Sequence, residues 1–452
     1  MTAAPVGVDY SRALQALEAR GRFGVRLGLG RTRALLAALG HPERTVRGVL
    51  VAGTNGKGSV LALADAALRA AGYRVGSTPK PHLVSYRERI QVDGRPIDPG
   101  DFSRLVGRVL EVSDAVARRH GQPTEFELLT AVVFARFAEV RPDVALVEVG
   151  LGGRLDATHA WDGGVAAVTN VDLDHTDRLG DTVTAIAREK AAIIMRGDLA
   201  VTGADGDGLA VVRRRARRLG VPLVEVVPAP LLAWDRDGIE VELAGLGRTR
   251  VGLRGRHQAA NVAVADALLD ALETAGIAST PADARRAGYA TAVWPGRLEL
   301  ITVGGRDVLL DGAHNPAGAA ALATALDDLR PFLAEAPLTL VTASMADKDV
   351  DGVIAALGRA GAVRRATVIC TSFTIARAMG AVELARRWRT YGPDVTVLVE
   401  PDPVVAVTRA IERSGAGNGP IVVAGSLYLV GAARGYLVDD PDLRDPPSAE
   451  DA

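Results

Sequence analysis

The chain has 452 residues, 48% apolar and 24% charged, proportions that exclude general disorder and leave room for two or three domains. With 53 Lys and Arg against 54 Asp and Glu the formal charge is −1, which argues against nucleic-acid or membrane-surface partners held by bulk attraction. One cysteine, Cys370, rules out an internal disulfide and a cysteine-rich metal site, and no apolar run nears the ~18 residues of a membrane span, so a soluble cytoplasmic protein is expected.

Residues 10–39 read as two short helices. Leu35, Leu36 and Leu39 give the second an apolar stripe, Gly40 suits its C-terminal turn and Pro42 ends it. Residues 49–52, Val-Leu-Val-Ala, predict a buried strand feeding a glycine-rich turn. A helix follows over 59–71, where Leu61, Ala64, Leu68 and Ala71 recur at helical spacing. A helix over 127–140 and strands over 144–149 and 165–171 continue the alternation. Continuous β-branched strands between helices mean a mainly parallel α/β sheet. The stretch 222–255, broken by Gly and Pro, reads as a small β meander. After Trp294-Pro295-Gly296-Arg297 the alternation restarts with strands at 308–310, 338–342, 366–370, 395–399 and 421–424. That suffices for a second α/β domain. The expected division is an N-terminal domain over 1–293, a C-terminal domain over 297–438 and a tail over 439–452. The tail's six acids and three prolines predict disorder.

Only four of the basic residues are lysines: Lys57, Lys80, Lys190 and Lys348. Each is therefore a candidate for a place where a compact ammonium or a reactive amine is needed. Lys57 lies in Gly53-Thr54-Asn55-Gly56-Lys57-Gly58-Ser59, between the first strand and its helix. Such a loop turns backbone N–H groups and a helix N-terminus towards an anion; Lys57 would reach the β/γ-phosphates and Ser59 a Mg²⁺ ion. A glycine separates Lys57 from Ser59, unlike the commoner P-loop spacing.

That spacing is used by the Mur ligase superfamily, and within it the chain resembles the folylpolyglutamate synthase/dihydrofolate synthase family. The resemblance rests on an ordered series of motifs from about residue 10 to 436. They are Phe23–Leu29, Pro81-His82-Leu83 with Glu88-Arg89-Ile90, Glu148–Thr158, Leu173-Asp174-His175-Thr176 and Glu189-Lys190-Ala191. Then come His257-Gln258 with Asn261, Asp311–Pro316, Asp347-Lys348-Asp349 and Gly425-Ser426-Leu427-Tyr428. It implies a P-loop ATPase domain of Mur-ligase type with a mainly parallel sheet and a small β subregion, followed by a C-terminal Rossmann-like α/β domain.

The resemblance also implies roles. Glu148, His175 and Ser59 become Mg²⁺ ligands for one or two ions, and Lys190 a candidate for carbamylation beside the second. Gln258, Asn261, Arg297, Asp311 and His314 become nucleotide contacts. His82, Phe126, Glu127, Arg154, Asp156 and Lys348 fall on the substrate side. Read by themselves, Phe126-Glu127 at a helix start suggests packing and capping, His175 a loop residue or cap, and Lys348 a solvated charge cluster. The chain departs from the family pattern at Lys80, where a serine Mg²⁺ ligand is usual, and at His159, Ala192, Met195 and Ala432. A protonated ammonium is a donor only and cannot bind a metal. Lys80 is thus a charge standing in for one ion, a side chain turned away, or a damaged site.

The expected function is a monomeric ATP- and Mg²⁺-dependent ligase, with Lys57, His175, Lys190 and Lys80 at its centre. It would turn a carboxylate into an acyl phosphate and join L-glutamate to it, with dihydropteroate or reduced folate as the acid. The alternatives are a diverged paralogue using another carboxylate and a nucleotide-binding regulator without ligase activity.

Overall fold

The computed structural model describes residues 9–21, 28–375, 377–392, 394–413 and 419–446. Residues 23–27 of the first family motif and 447–452 of the expected tail lie outside them. The chain divides into two compact units. One holds the described residues up to Pro228, Ala260–Tyr289 and the described residues from Pro441 on; the other holds Ala229–Ala259 and Ala290–Asp440.

The first unit is built on an eight-stranded sheet. From one edge the strands run Arg95–Pro96, Gln91–Val92, Val75–Thr78, Val144–Glu148, Gly48–Ala52, Gly164–Val168, Leu199–Thr202 and Leu223–Glu225. The last six are mutually parallel, and the first two form an antiparallel edge. Gly48–Ala52 is buried at every residue, as its apolar run predicts. Leu50, Ala52 and Val147 pack with Phe102, Phe134 and Trp161 in one core. Burial stabilises each large apolar side chain by about 1.5–3 kcal/mol.

The second unit carries a six-stranded sheet in the order Glu299–Val303, Arg306–Asp311, Ile421–Ala424, Thr339–Thr342, Thr367–Cys370 and Thr396–Val399. Only Glu299–Val303 runs antiparallel to its neighbour. Its core joins Leu309, Leu340, Val368 and Val422 to Leu322, Leu326 and Trp388. The predicted α/β class and all five strands expected after residue 297 are present.

Three regions differ from expectation. The meander is a separate three-stranded sheet over Leu231–Asp235, Gly238–Leu243 and Gly247–Val251, and it groups with the second unit rather than with residues before 293. The reason is an ion pair across the fold: Arg236 grips Asp307 at 2.5 and 2.8 Å. Leu223–Glu225, expected in that meander, instead extends the large sheet. The start of the expected disordered tail is ordered, with a 3₁₀ turn at Pro441–Leu443 and Asp445 bonded to Ser85 and Arg87. No helix among the described residues is long and apolar enough to cross a membrane.

Candidate functional site

The phosphate loop leaves the carboxyl end of Gly48–Ala52 and enters the helix Lys57–Ala70. Gly56, in the left-handed region at φ 81°, caps that helix. A side chain there would also strike Asn261, whose Oδ1 lies 2.2 Å from where its Cβ would stand, so Asn261 abuts the loop. Inside the loop, Lys57 Nζ donates to the carbonyls of Gly53 (3.0 Å) and Thr54 (3.2 Å). Lys190 Nζ, on the helix Val183–Ala191, donates to the same Gly53 carbonyl at 2.8 Å. Two of the four lysines therefore converge on one oxygen. Burial, and then the neighbouring Lys57, lower the Lys190 pKa from 10.5 to about 7.

The adjacent strands set the loop's flanks. In register, Glu148 lies beside Val51 and Val168 beside Ala52, so both neighbours end level with the loop, where parallel sheets place their ligands. Beyond Val168 the chain, expected to remain strand to 171, turns to hold the loop. Thr169 Oγ1 donates to Asn55 O (2.6 Å), Asn170 Oδ1 accepts from Asn55 N (2.8 Å), and Thr54 Oγ1 accepts from Asp172 N (3.0 Å). Thr169 and Asn170 were not anticipated; a polar pair interrupting an apolar strand was their signal. The same segment leads to His175, half-exposed and left-handed at φ 50°, with Nε2 3.7 Å from the Asp174 carboxylate.

Lys80 meets Glu148 twice. Its backbone N–H donates to Glu148 Oε2 at 2.8 Å, and its ammonium donates to the Glu148 main-chain carbonyl. The ammonium also sits 4.9 Å from the centre of the Phe126 ring. Burial lowers the Lys80 pKa to about 8, opposed by Asp156 and Glu148. Lys80, Phe126, Thr78 and Thr158 line a small cavity.

Other residues assigned to the substrate side are occupied by their own surroundings. Glu127 closes a capping box with Thr124 and receives Arg31 Nε at 2.9 Å, as the plain sequence pattern suggested. Asp156 spends both oxygens on its loop, accepting from Gly150, Leu151 and Thr158. Arg154 pairs with Glu189 at 2.9 Å. His82 accepts from Arg89 Nε at 2.8 Å, and burial pushes its pKa down to about 3.

The second unit groups its own candidates. Asp311, at the end of its strand, accepts the N–H groups of Leu298 and Ala313, both at 2.9 Å. Burial raises its pKa against the pull of Arg297, the backbone donors and His257. Arg297 lies against Gly312. His314 donates from Nδ1 to the Gly312 carbonyl at 2.8 Å, which fixes its tautomer. Gln258 Nε2 is 3.3 Å from His257 Nε2. Asn315 and Pro316 start the helix Pro316–Leu329 as expected. Lys348 lies in the turn before the helix Val350–Leu357.

Two family models match the chain: the Mur ligase middle domain over residues 51–269 and the dihydrofolate synthetase C-terminal domain over 298–434. The dihydrofolate synthase/folylpolyglutamate synthase of Bacillus subtilis is 34% identical, the match covering 95% of this chain and 99% of that one. The chain belongs to the dihydrofolate synthase/folylpolyglutamate synthase family.

It is therefore an ATP-dependent, ADP-forming ligase with a Mur-ligase-type fold. Two solved family members are similar over their whole length. Folylpolyglutamate synthase from Mycobacterium tuberculosis, complexed with ADP and AMPPCP, is 34% identical at a TM-score of 0.83, covering 96% of this chain and 100% of that chain. The bifunctional enzyme from Yersinia pestis, complexed with AMPPNP and Mn, is 29% identical at 0.80, covering 97% and 100%. Family membership sets aside the reading as a regulator without ligase activity.

A divalent ion fits the donors this chain offers. Among the described residues no three His, Cys, Asp and Glu side chains cluster as a self-sufficient metal cage. Mg²⁺ does not need one, since it takes one or two carboxylates and fills its remaining positions with phosphate oxygens and water. Glu148, buried at a strand end next to the phosphate loop, and the Ser59 hydroxyl in the first turn of the loop's helix are such hard oxygen donors.

Proposed function

We propose that the protein joins L-glutamate to dihydropteroate or a reduced folate, using ATP and Mg²⁺. The observation that carries this reading is the pairing of Lys57 and Lys190 on the Gly53 carbonyl, in a strand–loop–helix cradle beside Glu148. Lys57 supplies positive charge where a triphosphate's terminal groups would lie, and Lys190 places a second amine beside it.

In the proposed reaction a carboxylate oxygen of the acid attacks the γ-phosphorus, the bond to the bridging oxygen breaks, and ADP leaves. The glutamate amine then attacks the acyl carbon, phosphate departs with the bonding electrons, and the amine proton passes to solvent. The loop amides orient the phosphates, and Lys57 exchanges its carbonyl partners for phosphoryl oxygens. Ser59, Glu148 and His175 would hold Mg²⁺, which supplies charge neutralisation on the transferring group. Lys190 is the group suited to carbamylation, because an amine whose pKa burial lowers to about 7 is neutral in part at neutral pH and can react with CO₂. Gln258, Asn261, Arg297, Asp311 and His314 are read as nucleotide contacts. Phe126 and His82 are read as the acid's side, and Lys348 as a partner for the amino acid's carboxylate. Glu127 and Asp156 are better read as the supports of that side than as its contacts.

We read Lys80 as a resident cation, fixed between the Glu148 carbonyl and the Phe126 ring, that replaces one ion of a two-ion site. Its presence where serine is usual also favours a second reading, a paralogue acting on a different carboxylate. Phosphate release with ATP, Mg²⁺ and L-glutamate, compared between dihydropteroate and tetrahydrofolate, decides between the two. Activity with either supports the folate reading; silence with both and turnover of another acid selects the paralogue.

A further inference from the structure

The segment 80–90 is held from its far end by the chain's own C-terminal residues. Glu88 accepts the successive N–H groups of Leu83, Val84 and Ser85 at 2.6–3.1 Å and so rolls the segment into one turn. Arg89 donates to His82, whose ring lies 4.2 Å from that of Tyr86. Ser85 and Arg87 face outwards from this network: Arg87 Nη1 donates to the Ile97 carbonyl at 3.1 Å, and Ser85 Oγ lies 3.4 Å from Tyr10 Oη. Both residues also reach Asp445. Its Oδ1 accepts from Ser85 Oγ at 2.7 Å and from Arg87 Nε at 3.0 Å, and Arg87 Nη2 donates to the Arg444 carbonyl at 3.0 Å. Arg87 is only 4% exposed at its side chain, so it needs an anionic partner to remain buried. Asp445 is its only ion-pair partner among the described residues.

We propose that residues 441–445 form a strap clamping the 80–90 segment, and that Asp445 is a positioning residue for the acid's side of the site, acting through Ser85 and Arg87. The inference rests on the reading of Lys80 and His82 as lying on that side. The strap fixes where the turn sits, and the turn fixes His82 and, through the chain, Lys80 against Glu148. A long acidic stretch that composition alone assigns to disorder thus supplies one carboxylate that must be placed.

The test uses the full chain with Asp445→Ala and Asp445→Asn. Two readouts are followed: hydrogen–deuterium exchange of amides 82–90 without substrates, and the KM of each substrate with kcat. Asp445→Ala is expected to speed exchange across 82–90 and to raise the KM of the carboxylate substrate about tenfold. The KM of ATP and kcat should stay within about twofold. Asp445→Asn, which keeps Oδ1 as an acceptor, should fall between and covers the case in which the alanine variant does not fold. Unchanged exchange overturns the strap. Faster exchange with an unmoved carboxylate KM, or with equal losses for all substrates, overturns the positioning role. If no pterin acid is turned over by the wild type, the folate reading fails; the KM readout then moves to the acid that is used, and exchange judges the strap separately.

Discussion

The phosphate loop and the 80–90 segment lie on the same sheet and are held in opposite ways. The loop's bonds run to its own carbonyls and to the end of the adjacent strand: Lys57 to Gly53, Thr169 and Asn170 to Asn55. The 80–90 segment depends instead on carboxylates outside it, Asp445 for the Arg87 guanidinium and Glu148 for the Lys80 main-chain N–H. The difference separates two kinds of specification. Phosphate chemistry is the same for every substrate of such an enzyme and is carried by a short motif between paired strands. The side proposed to choose the acid is assembled from scattered residues, and it includes Lys80, the position expected to depart from the family pattern.

The largest expected effect tests the loop. Lys57→Ala should lower the rate of phosphate release about a thousandfold while leaving thermal unfolding nearly unchanged, because charge on the transferring group is lost and no core contact is. Assays of phosphate release and a melting curve measured together would break the comparison if activity and stability fell in step.

Next, Arg31→Met probes a support of the other side. It leaves the Glu127 carboxylate, 3% exposed at its side chain, without its ion-pair partner. Urea unfolding should show a loss of about 3 kcal/mol. A much smaller loss would mean that the capping box alone satisfies Glu127.

Lys190 offers a pH signature. Burial lowers its pKa from the usual 10.5 to about 7 in the folded chain. Between these values the unfolded chain holds the extra proton, so its contribution makes stability rise with pH across that window. At lower pH the folded state bears the cost of burying the charge. Comparing pH 7 with pH 9, the wild type should gain about 1–2 kcal/mol relative to Lys190→Met. Parallel curves would show that the amine is not desolvated.

The smallest effect belongs to Thr169→Val, which keeps shape and removes the bond to Asn55. About 1 kcal/mol of stability and a similar weakening of ATP binding are expected, read by unfolding and by nucleotide titration. A loss in the carboxylate KM instead would blur the distinction between the two regions.

Much of this was legible from the residues. Val49–Ala52 followed by a glycine-rich turn and a helical stripe left one local solution, and the structure adopts it. The capping pattern at Thr124–Glu127 likewise named its own partners. Other features were hidden because their partners lie elsewhere. Thr169 and Asn170 looked like strand until the sheet set them level with the loop. The meander looked like an edge of the first domain until Arg236 found Asp307.

The sequence by itself determined the two α/β sheets, the phosphate cradle and the chemistry available in its four lysines, since periodicity and glycine placement act over a few residues. Only the tertiary structure decided that two of those lysines share the Gly53 carbonyl, that Asp156 and Glu127 are consumed by their own surroundings, and that Asp445 at the start of the acidic tail is bonded to Ser85 and Arg87. Burial made those choices. A charge withdrawn from water must find a partner, and the nearest one in space is fixed by the packed sheet and not by distance along the chain.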